Sequence, residues 1–163
     1  MESEKKKLIL IDSDGLKEEI SVKAACRSGL IKSLLEINPD SYEIPLKIKN
    51  PILKKVKEYL EHYEDIEPKV IARPLPSNNF KECVEEWDYN FINVDFVMLN
   101  EIILASSNMD IKPLCDLCCA KEASLIQGKT TEEIRQLFGI SHNFTEEEEQ
   151  QILEENNWCL ENL

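Results

Sequence analysis

Apolar residues open the chain at strand spacing. Lys7 to Ile11 is a short apolar run, and Leu16, Glu18, Ile20 and Val22 alternate behind it, three of the four apolar. Period-two alternation on either side of Asp12-Ser13-Asp14-Gly15 predicts a β-hairpin, with Gly15 supplying the positive φ of the turn. Ser21 or Val22 then opens a short helical stretch over Ala24 to Arg27. Ser28 caps a helix whose face is Leu30, Ile31, Leu34 and Leu35. Tyr42, Ile44, Leu46 and Ile48 alternate strictly, which predicts a third strand over 42–48; Pro45 inside it puts that strand at an edge. Asn50-Pro51 reads as N-cap then N1 of a helix with Ile52, Leu53, Val56, Tyr59, Leu60 and Tyr63 on one face. Pro68, Pro74, Pro76 and Ser77-Asn78-Asn79 mark 66–86 as a surface loop. Asp95 is expected to cap a helix carrying Leu99, Ile102, Ile103 and Met109, and Asp110 the next, with Pro113 tolerated in its first turn and Gly128 as the C′ residue at its end. Strands first and helices afterwards make the fold α+β, a small three-stranded sheet with helices packed on it, rather than a βαβ unit.

The last 36 residues, 128–163, are the most sharply punctuated. Thr130 with Glu133, and Thr145 with Glu148, form two Thr-x-x-Glu capping boxes. Behind the first come Ile134, Leu137 and Phe138 on one face. Behind the second, at about 100° per residue, Ile152, Leu153, Cys159, Leu160 and Leu163 share a side with Asn156 among them, and that side is expected to be the packed one. Trp158 falls opposite, with Gln151, Glu154 and Glu155. A helix that continues so far presents its indole to a partner, and large interface anchors are enriched in Trp. A helix that ends sooner folds it back onto the domain.

The net charge of the 163-residue chain is −13, and from Glu132 to Leu163 nine Glu stand against one Arg. Nucleic-acid binding needs a basic stripe, which is missing, so no nucleic-acid partner is expected. Basic partners are favoured instead. No long apolar stretch predicts a membrane span, and Leu8–Ile11 is too short for the apolar core of a signal peptide; cytoplasm and nucleus are the expected setting.

The sequence carries no complete catalytic or metal-binding constellation. Cys115-x-x-Cys118-Cys119 invites zinc, but a structural site needs four ligands and no second pair follows. Cys26, Cys83 and Cys159 are scattered, and His62 and His142 are distant in sequence. The expectation is buried core thiols, no metal and no cofactor. Glycine occurs only at 15, 29, 128 and 139, so there is no phosphate-cradling loop. Cys83 and His62 lack an orienting third group. Consecutive Glu146 to Glu149 point in different directions and suit a helix N-terminus. No catalysis is expected.

The stretches ILKKV (52–56), EEWDYNFINVD (85–95), LNEIILASSNMDIKPL (99–114), GKTTEEIRQLFGI (128–140) and NFTEEEEQQILEENNWC (143–159) resemble the S-phase kinase-associated adaptor family. The resemblance runs in order from Leu8 to Cys159; the first hundred residues alone would also suit elongin C or a generic BTB/POZ domain. It implies a BTB/POZ fold over 5–110, with the 66–86 loop, followed by a helical extension over 111–163. The implied function is that of the adaptor in SCF-type E3 ubiquitin ligases, with F-box proteins and a cullin N-terminal domain as partners. The implied F-box contacts are Leu114, Leu125, Ile126, Ile134, Phe138, Ile152, Asn156, Trp158 and Cys159. The implied cullin contacts are Ser107 and Asn108. A free chain would also have its BTB face available for weak homodimerisation.

Four positions depart from the family pattern. Relatives usually carry Asn-Tyr where this chain has Ser107-Asn108, which removes an aromatic anchor from the cullin face. They tend to have Gly at Pro113. Some protist relatives place a hydroxylatable proline where Glu146 stands. The Ser107-Asn108 change keeps a second reading open, a protein that binds F-box-like helices outside a cullin ligase. A cysteine enzyme or zinc protein is the third, opposed by the missing ligands and bases.

Overall fold

A computed structural model describes residues 7–141 and 144–156. The expected hairpin forms from β1 (Lys7–Ile11) and β2 (Lys17–Ser21), paired antiparallel from Lys7 opposite Ser21 to Ile11 opposite Lys17. Asp12 makes the turn: its Oδ1 accepts from the N–H groups of Asp14 and Leu16, both at 2.8 Å, and Gly15 takes φ 85°. β2 starts one residue later than the alternation suggests, leaving Leu16 exposed. The third strand, β3 (Glu43–Pro45), pairs parallel to β1 on the other side, giving the order β2-β1-β3 with Pro45 at an edge. It is three residues long rather than seven. Beyond Pro45 the chain leaves the ladder, yet Ile44, Leu46 and Ile48 still bury every second side chain, while Tyr42 is exposed.

One face of the sheet meets short α1 (Val22–Ala25) and α3 (Asn50–His62), and α6 (Phe96–Asn108) packs on α3. Leu8 and Leu10 from β1, Ile31 from α2 (Gly29–Ile37), Leu53 and Leu60 from α3, and Leu99 and Ile102 from α6 lie within one apolar core. Lys49, not Asn50, is the N-cap of α3: it holds the extended backbone (φ −68°, ψ 148°) and Asn50 is already helical. The stretch expected as loop over 66–86 contains a helical turn, α4 (Phe80–Cys83), capped by Asn79, and reaches α5 (Glu86–Phe91). Tyr59, Tyr63, Trp87 and Phe91 clasp α3 to α5, with the His62 ring stacked on Trp87 at 3.6 Å. Beneath them the Tyr63 hydroxyl donates to Asp88 Oδ1 at 2.7 Å.

α6 begins as expected, with the Met98 N–H donating to Asp95 Oδ1 at 2.9 Å. Asp110 does not cap the following helix. It is the C′ residue of α6, at φ 52°, with the Ile111 N–H reaching back to the Ser106 carbonyl at 2.8 Å, so the N-cap of α7 (Lys112–Ile126) passes to Ile111. α7 ends before Gly128, whose φ is 73°. The chain divides into two compact units, 1–127 and 128–163. α7 therefore belongs spatially with the first unit, burying Leu114, Leu117 and Cys118, although its first residue lies close to the boundary expected at 110/111. The second unit holds α8 (Thr131–Leu137) and α9 (Glu146–Glu155).

Candidate interaction surfaces

The end of α6 is held by the start of α2. Ser28, fully buried, accepts from the Ile31 N–H as a helix cap and donates its hydroxyl to the Met109 carbonyl at 2.5 Å. The Gly29 and Leu30 N–H groups donate to the carbonyls of Asp110 and Met109. A Cβ on Gly29 would lie 2.0 Å from Asp110 Oδ2, so glycine is what lets the two segments approach. Next to this bracket Ser107 and Asn108 are exposed. Val97 and Leu104 extend the same side of α6, 69 % and 64 % exposed. A cavity of about 210 Å³ opens beside Asn108, walled by Ile48, Ile52, Leu104 and Ala105 and crossed by the Lys49–Glu101 ion pair at 2.7 Å. The exposure of Val97 and Leu104 is not legible in the sequence, because apolar residues on a helix rich in apolar residues carry no sign of which side is open.

On α7 the expected residues separate. Leu114 is fully buried in the core and offers no surface for a partner, because the helix turns that edge toward α6. Leu125 is half-buried against the same core, and Ile126 is half-buried beside it. Counting back from Ile126 at helical spacing, Glu122, Cys119 and Cys115 complete a partly open stripe. The three clustered cysteines are therefore not one buried group: Cys118 is buried, Cys115 intermediate and Cys119 exposed, since consecutive residues on a helix cannot all face inward. Burial pushes the Cys118 thiol far up; burial and the neighbouring Cys115 raise Cys119 as well. Neither is poised as a thiolate nucleophile. Among the described residues no group of three His, Cys, Asp or Glu is placed to hold a metal ion.

In the second unit both capping boxes are complete. The Glu133 N–H donates to Thr130 Oγ1 at 3.3 Å and Glu133 Oε2 accepts from the Thr130 N–H at 2.8 Å; Thr145 and Glu148 repeat this with the same two distances. The Thr130 bonds hold the Glu133 carboxyl below its usual range. Gly139, at φ 66°, closes α8 with the Ile140 N–H on the Arg135 carbonyl, and the Arg135 guanidinium lies over the Phe144 ring at 5.8 Å. Neither helix buries a residue. Ile134 is partly covered, Phe138 is 42 % exposed, and Ile152 and Leu153, expected to be packed, are 40 % and 62 % exposed. Of the side expected to be packed, neither Ile152 nor Leu153 is buried, and Cys159, Leu160 and Leu163 lie outside the described residues. Asn156 caps the turn of its own helix, its Nδ2 donating to the Ile152 carbonyl at 2.8 Å. Trp158 and Cys159 lie outside the described residues.

Two family models match the chain. The Skp1 family tetramerisation domain, of POZ type, matches residues 6–65, and the Skp1 family dimerisation domain matches residues 112–159. The S-phase kinase-associated protein 1 homolog of Tetrahymena thermophila is 42% identical over 161 residues, covering 98% of this chain and 96% of that protein. The E3 ubiquitin ligase complex SCF subunit sconC of Arthroderma benhamiae is 43% identical over 157 residues, 95% of this chain and 96% of the relative. The suppressor of kinetochore protein 1 of Schizosaccharomyces pombe is 41% identical over 160 residues, 94% of this chain and 97% of its own. The three-stranded sheet with its helices is the BTB/POZ arrangement expected from the sequence.

Proposed function

We propose, from the premise that the chain belongs to the Skp1 family, that it is a non-catalytic adaptor of an SCF-type ubiquitin ligase, joining F-box substrate receptors to a cullin N-terminal domain. The observation that carries this is the second unit: two helices with complete capping boxes, neither of which has a buried residue. Capped helices beside exposed Ile152 and Leu153 suit a surface completed by another molecule. Ile134, Phe138, Ile152, Asn156, Trp158 and Cys159 are the proposed F-box contacts there, and Leu125 and Ile126 with their neighbours Cys115 and Cys119 on α7. Ser107, Asn108, Val97 and Leu104 are the proposed cullin contacts. The cytoplasm and the nucleus are the proposed setting.

The test is assembly from purified components. Full-length chain, an F-box peptide and the cullin N-terminal domain of the same organism should form a 1:1:1 complex by size-exclusion chromatography with light scattering. Failure to retain the F-box peptide would remove the reading. Retention of the peptide without the cullin would instead support the second reading, an F-box-helix-binding protein outside a cullin ligase, which the small side chains of Ser107 and Asn108 favour.

A further inference from the structure

Residues 71–75 lie beside α7. Ile71 packs against the core cluster, and Arg73 pairs with Asp116 at 2.5 Å. Between the segment and the helix lies a groove of about 360 Å³. Its walls are Ile71, Pro74 and Leu75, and its floor is Cys119, Ala120 and Ala123. Small floor residues let an incoming backbone come close, and the volume admits one large aromatic or two aliphatic side chains.

We propose that this groove is a second docking site for the F-box protein, taking an apolar anchor residue and an adjacent acidic residue from a segment outside the F-box. This rests on the adaptor reading above. Two observations select the occupant. Cys119 belongs both to the groove floor and to the half-open α7 stripe with Cys115 and Ile126, so the groove continues the surface proposed for the F-box. The rim also offers a cation on a chain of net charge −13: Arg73 is 70 % exposed and pairs with Asp116 at 2.5 Å, and Lys112 stands 3.6 Å from the same carboxylate. An acidic residue next to the anchor finds a cation there and is repelled by the rest of the surface. Linking this contact to the F-box makes it intramolecular, so a weak second site still raises affinity.

The experiment titrates the full chain with a full-length F-box protein of the same organism and, separately, with its excised F-box. The wild type should bind the full-length protein about tenfold more tightly than the excised F-box. Ala123→Arg, at an exposed helix position that tolerates a long side chain, fills the groove and should abolish that difference while leaving the excised F-box unaffected. Arg73→Glu should do the same through the rim charge, and circular dichroism with thermal melts should show both variants folded. Equal affinity of the wild type for the two ligands, or a full-length affinity unchanged by Ala123→Arg, overturns the proposal while leaving the adaptor reading intact. An Ala123→Arg loss that is equal for both ligands also overturns it, since the groove would then belong to the F-box site itself. A wild type that binds neither ligand removes the adaptor reading instead.

Discussion

Two single residues carry more than their size suggests. Gly29 sits where a Cβ would meet Asp110 Oδ2 at 2.0 Å, Cγ at 2.7 Å and Cβ at 3.0 Å, so a rotation of the Asp110 carboxylate alone does not clear it. Gly29→Ala should destabilise the first unit by about 1–3 kcal/mol, the cost of overpacking a tight contact. Asp110→Gly removes the obstructing side chain and suits the φ of 52°. The double variant should recover most of the loss in urea denaturation; additive losses would show that the clash is not the cause. Asp88 supplies the pH dependence. Burial holds its carboxyl above the usual aspartate range, against the hydrogen bond from Tyr63, which works to lower it. The folded chain therefore keeps this proton to higher pH than the unfolded chain. Its contribution to stability falls as pH rises from the ordinary value of 3.8 through the raised one, and is level above that. Asp88→Asn still accepts from Tyr63 and does not ionise. The stability of this variant relative to wild type should rise between pH 3.5 and neutral; a relative fall over that interval would mean that the carboxylate is held by a stronger partner than Tyr63.

At the scale of elements, α6 and α9 look alike in sequence, each with a capping residue followed by an apolar stripe, and they differ in burial. α6 buries Leu99, Ile102 and Ala105, whereas α9 buries nothing. Ile102→Ala should cost about 2–5 kcal/mol in thermal or chemical unfolding, while Ile152→Ala should cost less than about 0.5 kcal/mol. The same Ile152→Ala change should weaken F-box binding by about 1–2 kcal/mol if the stripe is the partner surface. Hydrogen exchange should follow the same division, slow through Ile52–Leu60 of α3 and fast in α9. Strong protection of α9 in the free chain would mean that the stripe is covered without a partner.

For the whole molecule, the partner faces proposed on the first unit lie along the α6–α7 pair. The bracket of Ser28, Gly29, Met109 and Asp110 fixes the end of α6 where Ser107 and Asn108 emerge, and the stripe of α7 leads away from it. Asn108→Tyr should tighten binding of a cullin N-terminal domain taken from a relative that carries Asn-Tyr at these positions in its own adaptor, by about 1–3 kcal/mol in titration calorimetry. Equal or weaker binding would show that Asn108 is not at the contact. Leu104→Asp should weaken the same complex without altering the melting temperature, since Leu104 is mostly exposed.

Local rules are legible in one sequence because their physics is local. The two Thr-x-x-Glu boxes, the Asp95 and Ser28 caps, the hairpin at Gly15 and the helix stop at Gly128 each depend on residues within a few positions, and all stand as read. Family membership was legible for a different reason: ordered motifs over nearly the whole chain specify a fold without any need to derive it. Tertiary packing decided the rest. Periodicity identifies an apolar side of a helix and is silent on whether anything covers it, so Leu114 vanished into the core while Ile152 and Leu153 stayed open. The same limit applies to Asp110, whose role was settled by the carbonyls of α6 behind it, and to Arg73, whose partner Asp116 is 43 positions away. Contacts so distant in sequence leave no local pattern, because loop closure and packing, rather than neighbouring residues, bring them together.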